Sequence, residues 1–120
     1  MEAVKPKVND LKAWSSPVQT VEWNDLEAEQ PCEPVETSGA HVKSIQVFGG
    51  FSNEAAIALE GSNDGANWAR LTNAFGNQIE LTEDKIQSVT EITRFVRPRV
   101  LRGDKRTKIS VVIFLRREFK

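Results

Sequence analysis

The chain has 120 residues, which is the size of one domain that buries a core without a metal ion or a disulfide framework. Hydrophobic residues make up 39% and charged residues 28%, as in an ordinary globular protein, and no apolar run is long enough to cross a bilayer, so no membrane partner is expected. The first ten residues lack the apolar core of a signal peptide, and we expect no secretion by that route. Cys32 is the single cysteine and cannot form an intrachain disulfide.

The net charge of −1 hides a strong asymmetry along the chain. Residues 1–40 carry −5, residues 41–90 carry −3, and residues 91–120 carry +7. Such a distribution favours a partner surface at one end, or contact between the acidic part of one subunit and the basic part of a neighbour. A solvated basic face on two adjacent strands would explain the same charges.

Residues 1–17 contain few periodic apolar positions and are predicted to form an extended N-terminal arm before a single β-sandwich domain at residues 18–120. A large aromatic residue, Trp14, lies in this arm and is predicted to dock on the domain or on another subunit. Val18 to Trp23 is the first predicted strand. The acidic, proline-containing segment that follows, residues 24–40, is predicted to be a loop.

The segment 43–71 contains the clearest strand and turn patterns. Apolar residues alternate at 45–51 and at 55–59, which predicts two strands with one buried face each. A Gly-Ser-Asn-Asp-Gly cluster at 61–65 predicts a tight turn. Trp68 then begins a third predicted strand that returns to the same core, so we predict a three-stranded meander.

The last third of the chain is predicted to contain one helix and two strands. A short helix is predicted near 83–89, because Thr82 can cap it and two carboxylates follow in the first turn. Residues 92–100 are predicted to be extended, with Pro98 at an edge or a bulge. The longest alternating pattern, at 109–115, predicts a strand.

The second face of this last strand carries Val112 and Phe114, so cover is expected on both sides, from within the fold or from a partner. Counting the segments gives about seven or eight short strands, spaced by roughly ten residues with turns between them. This spacing predicts an all-β fold, an antiparallel β-sandwich of jelly-roll type with one short helix and an extended N-terminal arm.

No combination of residues predicts catalysis, so we expect a protein that is not an enzyme and needs no cofactor or metal ion. His41 is the only histidine, and no second histidine or cysteine cluster completes a metal site. Arg102-Gly103-Asp104 spells an adhesion tripeptide, but a charged hairpin turn explains it. The basic residues between 94 and 108 leave a nucleic-acid-binding sheet as an alternative, although only Phe95 is interleaved as an aromatic.

Two resemblances follow from these patterns. One is to the discoidin-like, galactose-binding type of jelly roll, in which a Ser-Asn-Asp-Gly turn, an Asn-Trp pair and an aromatic-arginine strand recur. This resemblance implies that the Trp after the turn packs into the sandwich. The matching residues are Ser62, Asn63, Asp64, Gly65, Asn67, Trp68, Phe95, Val96 and Arg97.

The second resemblance is to small structural proteins of tailed bacteriophages, some of which decorate or cement the head. It is carried by Trp-x-x-Leu from Trp23, Pro-x-Glu from Pro34, Lys-Ser-Ile-Gln-Val from Lys43, the Gly-Ser-Asn-Asp-Gly turn and the Arg-x-x-x-Pro-Arg strand that contains Pro98. The resemblance implies a virion protein that is made in the host cytoplasm and then lies on the capsid surface.

Together these observations predict a capsid decoration protein that binds the major capsid protein across subunit junctions, as a homo-oligomer, either a dimer or a trimer. A glycan-binding module of a tail or fibre, using loops at Asn53 and Asp64, is the first alternative, and a nucleic-acid-binding sheet is the second. The residues predicted to contact partners are Trp14, Trp23, Arg97, Arg99, Arg102 and Arg106.

Overall fold

The computed structural model describes residues 1–13 and 16–117, so Trp14 lies outside the described residues. The described chain forms β-strands and no helix, and the strands pair antiparallel in two sheets. This confirms the predicted all-β sandwich. The nine strands are β1 (Lys7–Ala13), β2 (Ser16–Leu26), β3 (Val35–Glu36), β4 (Ala40–Gly50), β5 (Ala56–Ser62), β6 (Ala69–Arg70), β7 (Lys85–Ser88), β8 (Phe95–Arg102) and β9 (Lys108–Arg117).

The order of the strands identifies the sandwich as a jelly roll. One sheet has the order β1-β2-β9-β4-β7 and the other has the order β3-β8-β5-β6. From β2 onward the chain crosses repeatedly between the sheets, and the two four-stranded sets have the arrangement of an eight-stranded jelly roll. β1 extends the first sheet at the β2 edge. Both chain ends of the described domain therefore meet in one sheet, because β2 pairs with β9.

Alternating residues of the strands fill the space between the sheets. On β9, Ile109, Val111, Ile113 and Leu115 are fully buried, as period-two alternation requires. Trp23 is also fully buried, and its indole Nε1 donates a hydrogen bond to the carbonyl oxygen of Glu33, 2.9 Å away. The prediction that Trp23 contacts a partner is therefore corrected: its side chain is part of the core.

The predicted meander is wrong in its pairing. β4 belongs to the five-stranded sheet and β5 to the four-stranded sheet, so the segment between them crosses the sandwich instead of forming a hairpin. Of the three strands in the predicted meander, only β5 and β6 pair with each other. Alternation of apolar residues indicates that a strand has a buried face, but it does not indicate which strand is its neighbour.

The predicted helix near 83–89 is also wrong, because this segment contains β7. Residues 85–88 pair with residues 44–47 of β4, and the Asp84 carboxylate accepts a hydrogen bond from the backbone N–H of Gly49 at 3.1 Å. Of the two acidic residues that would suit a helix start, Asp84 is therefore used at the start of a strand instead. Pairing with β4 outweighs a local helix preference that spans only two turns.

The N-terminal arm is extended, as predicted, but it is paired. Residues 7–13 form β1 and run antiparallel to residues 16–22 of β2. Further upstream, Val4 bridges Cys32 in parallel, with one hydrogen bond from the N–H of Val4 to Pro31 and another from the N–H of Glu33 to Val4. Most of the predicted arm is therefore held against the sandwich.

Pro98 is located where one side of β8 has no strand partner among the described residues. On the β5 side Pro98 lies opposite Leu59, whereas β3 covers only Phe95 and Val96 on the other side. A proline lacks a backbone N–H, so it suits such a position. The expected edge position is therefore found, although β8 as a whole lies inside the sheet.

Candidate partner-binding surface

The outer face of the four-stranded sheet carries a cluster of charged side chains that we call the arginine face. Two cross-strand relations define it: Glu60 of β5 lies opposite Arg97 of β8 on one side and opposite Arg70 of β6 on the other. Side chains at opposed positions point to the same side of a sheet. The arginine face consists of Arg70, Arg97, Arg99, Arg102, Glu60 and Glu80, with a formal charge of +2.

Glu60 is the buried anchor of this face. Only 6% of its side chain is exposed, and its two carboxylate oxygens accept hydrogen bonds from Arg97 Nε at 3.0 Å and from Arg99 Nη1 at 3.1 Å. One carboxylate therefore orients two guanidinium groups while neutralising one of their two charges. The Arg99 side chain is still 62% exposed, which leaves donors free to face a partner.

Glu80 repeats the same arrangement nearer the end of β8. It forms ion pairs with Arg102 Nη2 at 2.8 Å and with Arg70 Nη2 at 3.4 Å. The hydrogen bond from Arg102 holds the pKa of the Glu80 carboxyl below its ordinary value, and Arg70 adds to this effect. Each of the two glutamates thus pairs with two of the four arginines, and these ion pairs hold the arginines in position on the sheet.

Trp68 lies on the arginine face instead of in the core, which corrects the position that the discoidin-like resemblance implies. The guanidinium carbon of Arg97 lies 3.9 Å from the centre of the Trp68 ring. This stacking orders Arg97 from the side that Glu60 does not reach. A buried position was expected from the turn before Trp68, but the hairpin turns this side chain outward.

A groove of about 430 Å³ is lined by Glu60, Arg97 and Arg99 of the arginine face and by the segment 29–32. It follows the part of β8 that extends past the first residue of β3, where the described chain provides no partner strand on that side. The Cys32 thiol in its wall is buried, and burial raises the pKa of this thiol to about 12, although the charge of Arg97 acts in the opposite direction. Cys32 is therefore protonated at neutral pH and is no nucleophile there.

The structure brings together three of the residues that were predicted to contact a partner, Arg97, Arg99 and Arg102. Arg106 lies apart in the turn between β8 and β9, where it is 74% exposed and pairs with Asp104 at 3.5 Å. Sequence reasoning missed Glu60, Glu80 and Trp68 as members of this surface. A carboxylate within the apolar run of β5 is the pattern that could have indicated Glu60, because a buried charge requires a partner.

One of the two loops considered for glycan binding contains Asp64, whose carboxylate is bonded within its own turn. Asp64 accepts hydrogen bonds from the Ser62 hydroxyl and from the backbone N–H groups of Ala66 and Asn67, at 2.8 to 3.0 Å. These bonds, with that from the Asn67 side chain, hold the pKa of Asp64 well below its ordinary value. The carboxylate of Asp64 is thus used to close its own turn.

Among the described residues, no group of three or more His, Cys, Asp or Glu side chains is arranged to hold a metal ion. Nor does the described part of the chain contain a helix that is long and apolar enough to cross a membrane. In comparisons with known proteins, no family model, no curated protein and no solved structure matches this chain.

Proposed function

We propose that this protein is a non-enzymatic structural protein of a virus particle, which binds the capsid surface through the arginine face and cements neighbouring capsid subunits. The observation that carries the proposal is the preordered set of four arginines on one sheet, with a formal charge of +2. The resemblance of the sequence to small structural proteins of tailed bacteriophages, some of which decorate or cement the head, supports the same function.

The arrangement suits binding to an acidic protein surface. Guanidinium groups form paired hydrogen bonds with carboxylates, and those of Arg99 and Arg102 are positioned by Glu60 and Glu80 before a partner arrives. Preordering lowers the entropy cost of binding. Many copies, each bound across a subunit junction, would raise the free energy needed to separate the capsid subunits.

The test uses particles of the encoding virus that were assembled without this chain, mixed with the purified protein and sedimented. We expect many copies to sediment with each particle, with an affinity that falls as salt is raised. An Arg99→Glu variant should bind about tenfold more weakly or worse, because it places a negative charge where the capsid carboxylates are expected. Lys85→Glu makes the same charge change on the other sheet and should bind like the unmodified protein.

Failure of the unmodified protein to sediment with particles would contradict the proposed function itself. Equal weakening by Arg99→Glu and Lys85→Glu would contradict only the assignment of the arginine face, since net charge alone would then explain binding.

A second candidate function is a glycan-binding module, which is favoured by one observation. Trp68 stacked on Arg97 lies close to the groove beside β8, and an aromatic ring next to charged donors can hold a sugar ring. A glycan array with the purified protein discriminates between the two functions. Specific glycan binding that Trp68→Ala abolishes would favour the module, whereas a cement protein should bind none of the glycans.

A further inference from the structure

The outer face of the five-stranded sheet exposes several large apolar side chains. Phe48 of β4 is 41% exposed, Ile86 of β7 is 60% exposed, and Phe114 of β9 is 37% exposed, which is unusual for side chains of this size. The register places Val112 between Gln46 and Glu22, and Phe114 between Ser44 and Thr20. We call this surface the apolar face. It consists of Asn9, Leu11, Thr20, Glu22, Ser44, Gln46, Phe48, Ile86, Val112 and Phe114. The one carboxylate in this set, Glu22, accepts a hydrogen bond from the Asn9 amide at 3.3 Å.

No part of the described chain covers this face, and charged side chains lie at both of its ends. At one end, the exposed Asp25 lies beside Ser110 of β9 and donates its backbone N–H to the Ser110 hydroxyl at 3.2 Å. The exposed Lys108 lies at the same end, two residues before Ser110 on β9. At the other end, the exposed Arg116 lies opposite Val18 of β2. Ser110 and Arg116 are six residues apart on one strand, so the two charged ends are separated by about 20 Å.

We infer that the apolar face is the interface of a symmetric dimer of this chain. A two-fold axis that crosses β9 near Ile113 would place the Asp25 end of each copy over the Arg116 end of the other. The same operation would place the apolar centre of each face on that of its partner. One surface then supplies both the apolar centre and the pairs of Asp25 with Arg116, as a two-fold interface requires.

The area of the apolar face is large enough for an interface with a second copy of this chain. Five strands spaced by about 4.8 Å, over a length of about 20 Å, give roughly 500 Å² for each copy and about 1,000 Å² for the pair. This is the lower limit for a specific protein interface. Two sheets that pack face to face bring their side chains together in the same way as the two sheets of a sandwich. The dimer would leave the arginine face of each copy on the outside.

Sedimentation velocity over a range of protein concentrations tests the dimer. The unmodified protein should dimerise in the micromolar range, and Phe114→Glu should shift the dissociation constant upward by at least tenfold, because a carboxylate would be buried in the interface. Val8→Glu is the matched control. Val8 is 46% exposed on the same sheet but points to the opposite side of β1, so this variant should dimerise normally.

A charge exchange tests the orientation of the two copies. Arg116→Glu should weaken the dimer, and adding Asp25→Lys in the same chain should restore it, because the reversed pair again has opposite signs. Asp25 has a φ of 55°, so thermal melting should first establish that each variant is folded. A dimer that survives Phe114→Glu, or an unmodified protein that stays monomeric at several hundred micromolar, would overturn the inference. A folded double variant as weak as Arg116→Glu would overturn the two-fold arrangement.

Discussion

At the residue scale, Glu60 determines how the arginine face is held. The carboxylate is almost completely buried, yet its partners Arg97 and Arg99 are one-third and nearly two-thirds exposed. Removing Glu60 and removing one of its arginines should therefore change the free energy of unfolding by different amounts. An arginine that loses Glu60 can turn into water, whereas a buried carboxylate that loses its donors cannot.

This asymmetry predicts the effects of two substitutions. Glu60→Ala should lower the free energy of unfolding by about 1–3 kcal/mol, because two charged hydrogen bonds and the packing of a buried side chain are lost. Arg99→Ala should cost no more than about 1 kcal/mol, since the guanidinium is mostly solvated and Arg97 still pairs with the carboxylate. Urea denaturation of both variants measures the difference. If both variants lost the same free energy of unfolding, the burial of Glu60 would not make its removal more costly than the removal of Arg99.

Residues that share a local pattern can thus take different positions, and this limits prediction from sequence. Arg97, Arg99 and Arg102 are predicted to contact a partner, and alternation along a strand places Arg97 and Arg99 on one face. Arg102 does not alternate with them, and a register shift between β5 and β8 brings it to the same side of the sheet. Trp23 and Trp68 both follow turns or strand patterns typical of core residues. Only Trp23 is buried, since it lies with Val21 on the core side of β2. Trp68, by contrast, is two residues before Arg70, which lies opposite Glu60 on the outer face.

At the element scale, β9 can be predicted from the sequence, whereas β7 cannot. β9 was predicted because its alternating pattern is long and its core face is continuous. β7 is four residues long, and a helix start in its sequence competes with its pairing to β4. The local preference is weak for a segment of this length, so the outcome is determined by a strand almost forty residues earlier in the chain.

Asp64, in the turn between β5 and β6, should make the stability of the fold depend on pH. Hydrogen bonds to Asp64, above all from Asn67, lower its pKa in the folded state relative to about 3.9 in the unfolded chain. A depressed carboxyl pKa stabilises the fold above the unfolded value, and this contribution is lost as pH falls through the folded pKa. Asp64→Ala should therefore lower the melting temperature at pH 7.

The difference between Asp64→Ala and the unmodified protein should shrink progressively below about pH 4, as the carboxyl of the unmodified protein takes up its proton. Thermal melts from pH 7 to pH 2 measure this. Glu83→Ala, which removes an exposed acidic residue elsewhere, is the control for the general effect of charge. A difference that stays constant down to the lowest pH would show that the hydrogen bonds of Asp64 do not depend on its charge.

At the scale of the whole molecule, the jelly roll separates two surfaces of different character. The four-stranded sheet presents the arginine face, and the five-stranded sheet presents the apolar face, with the core between them. The charge asymmetry along the sequence accounts for part of this separation, because β8 supplies three of the four arginines. The number of strands and their alternation were enough to predict the sandwich, whereas the sheet order depends on pairings between distant residues.

The segment around Cys32 is hydrogen-bonded to the N-terminal residues and to β2. The reactivity of the Cys32 thiol can therefore be used to detect unfolding of this part of the molecule. Its neighbours Pro31 and Glu33 bond to Val4, and Glu33 also accepts the hydrogen bond of Trp23. In the folded protein burial raises the pKa of the thiol to about 12, whereas in an unfolded chain it is about 8.5. Above about pH 8.5 the unfolded state gains a thiolate that the folded state does not, so folding stability should fall as pH rises.

Replacing Cys32 with alanine should remove this alkaline loss, so the stability curves of the two proteins should converge as pH rises from 8 to 10. Urea denaturation at several pH values measures the change. Thiol labelling at pH 8 provides an independent measurement. The native protein should react far more slowly than the urea-unfolded protein, because the reagent needs a thiolate and access to it. Fast labelling of the native protein would mean that the segment opens locally, without unfolding of the sandwich.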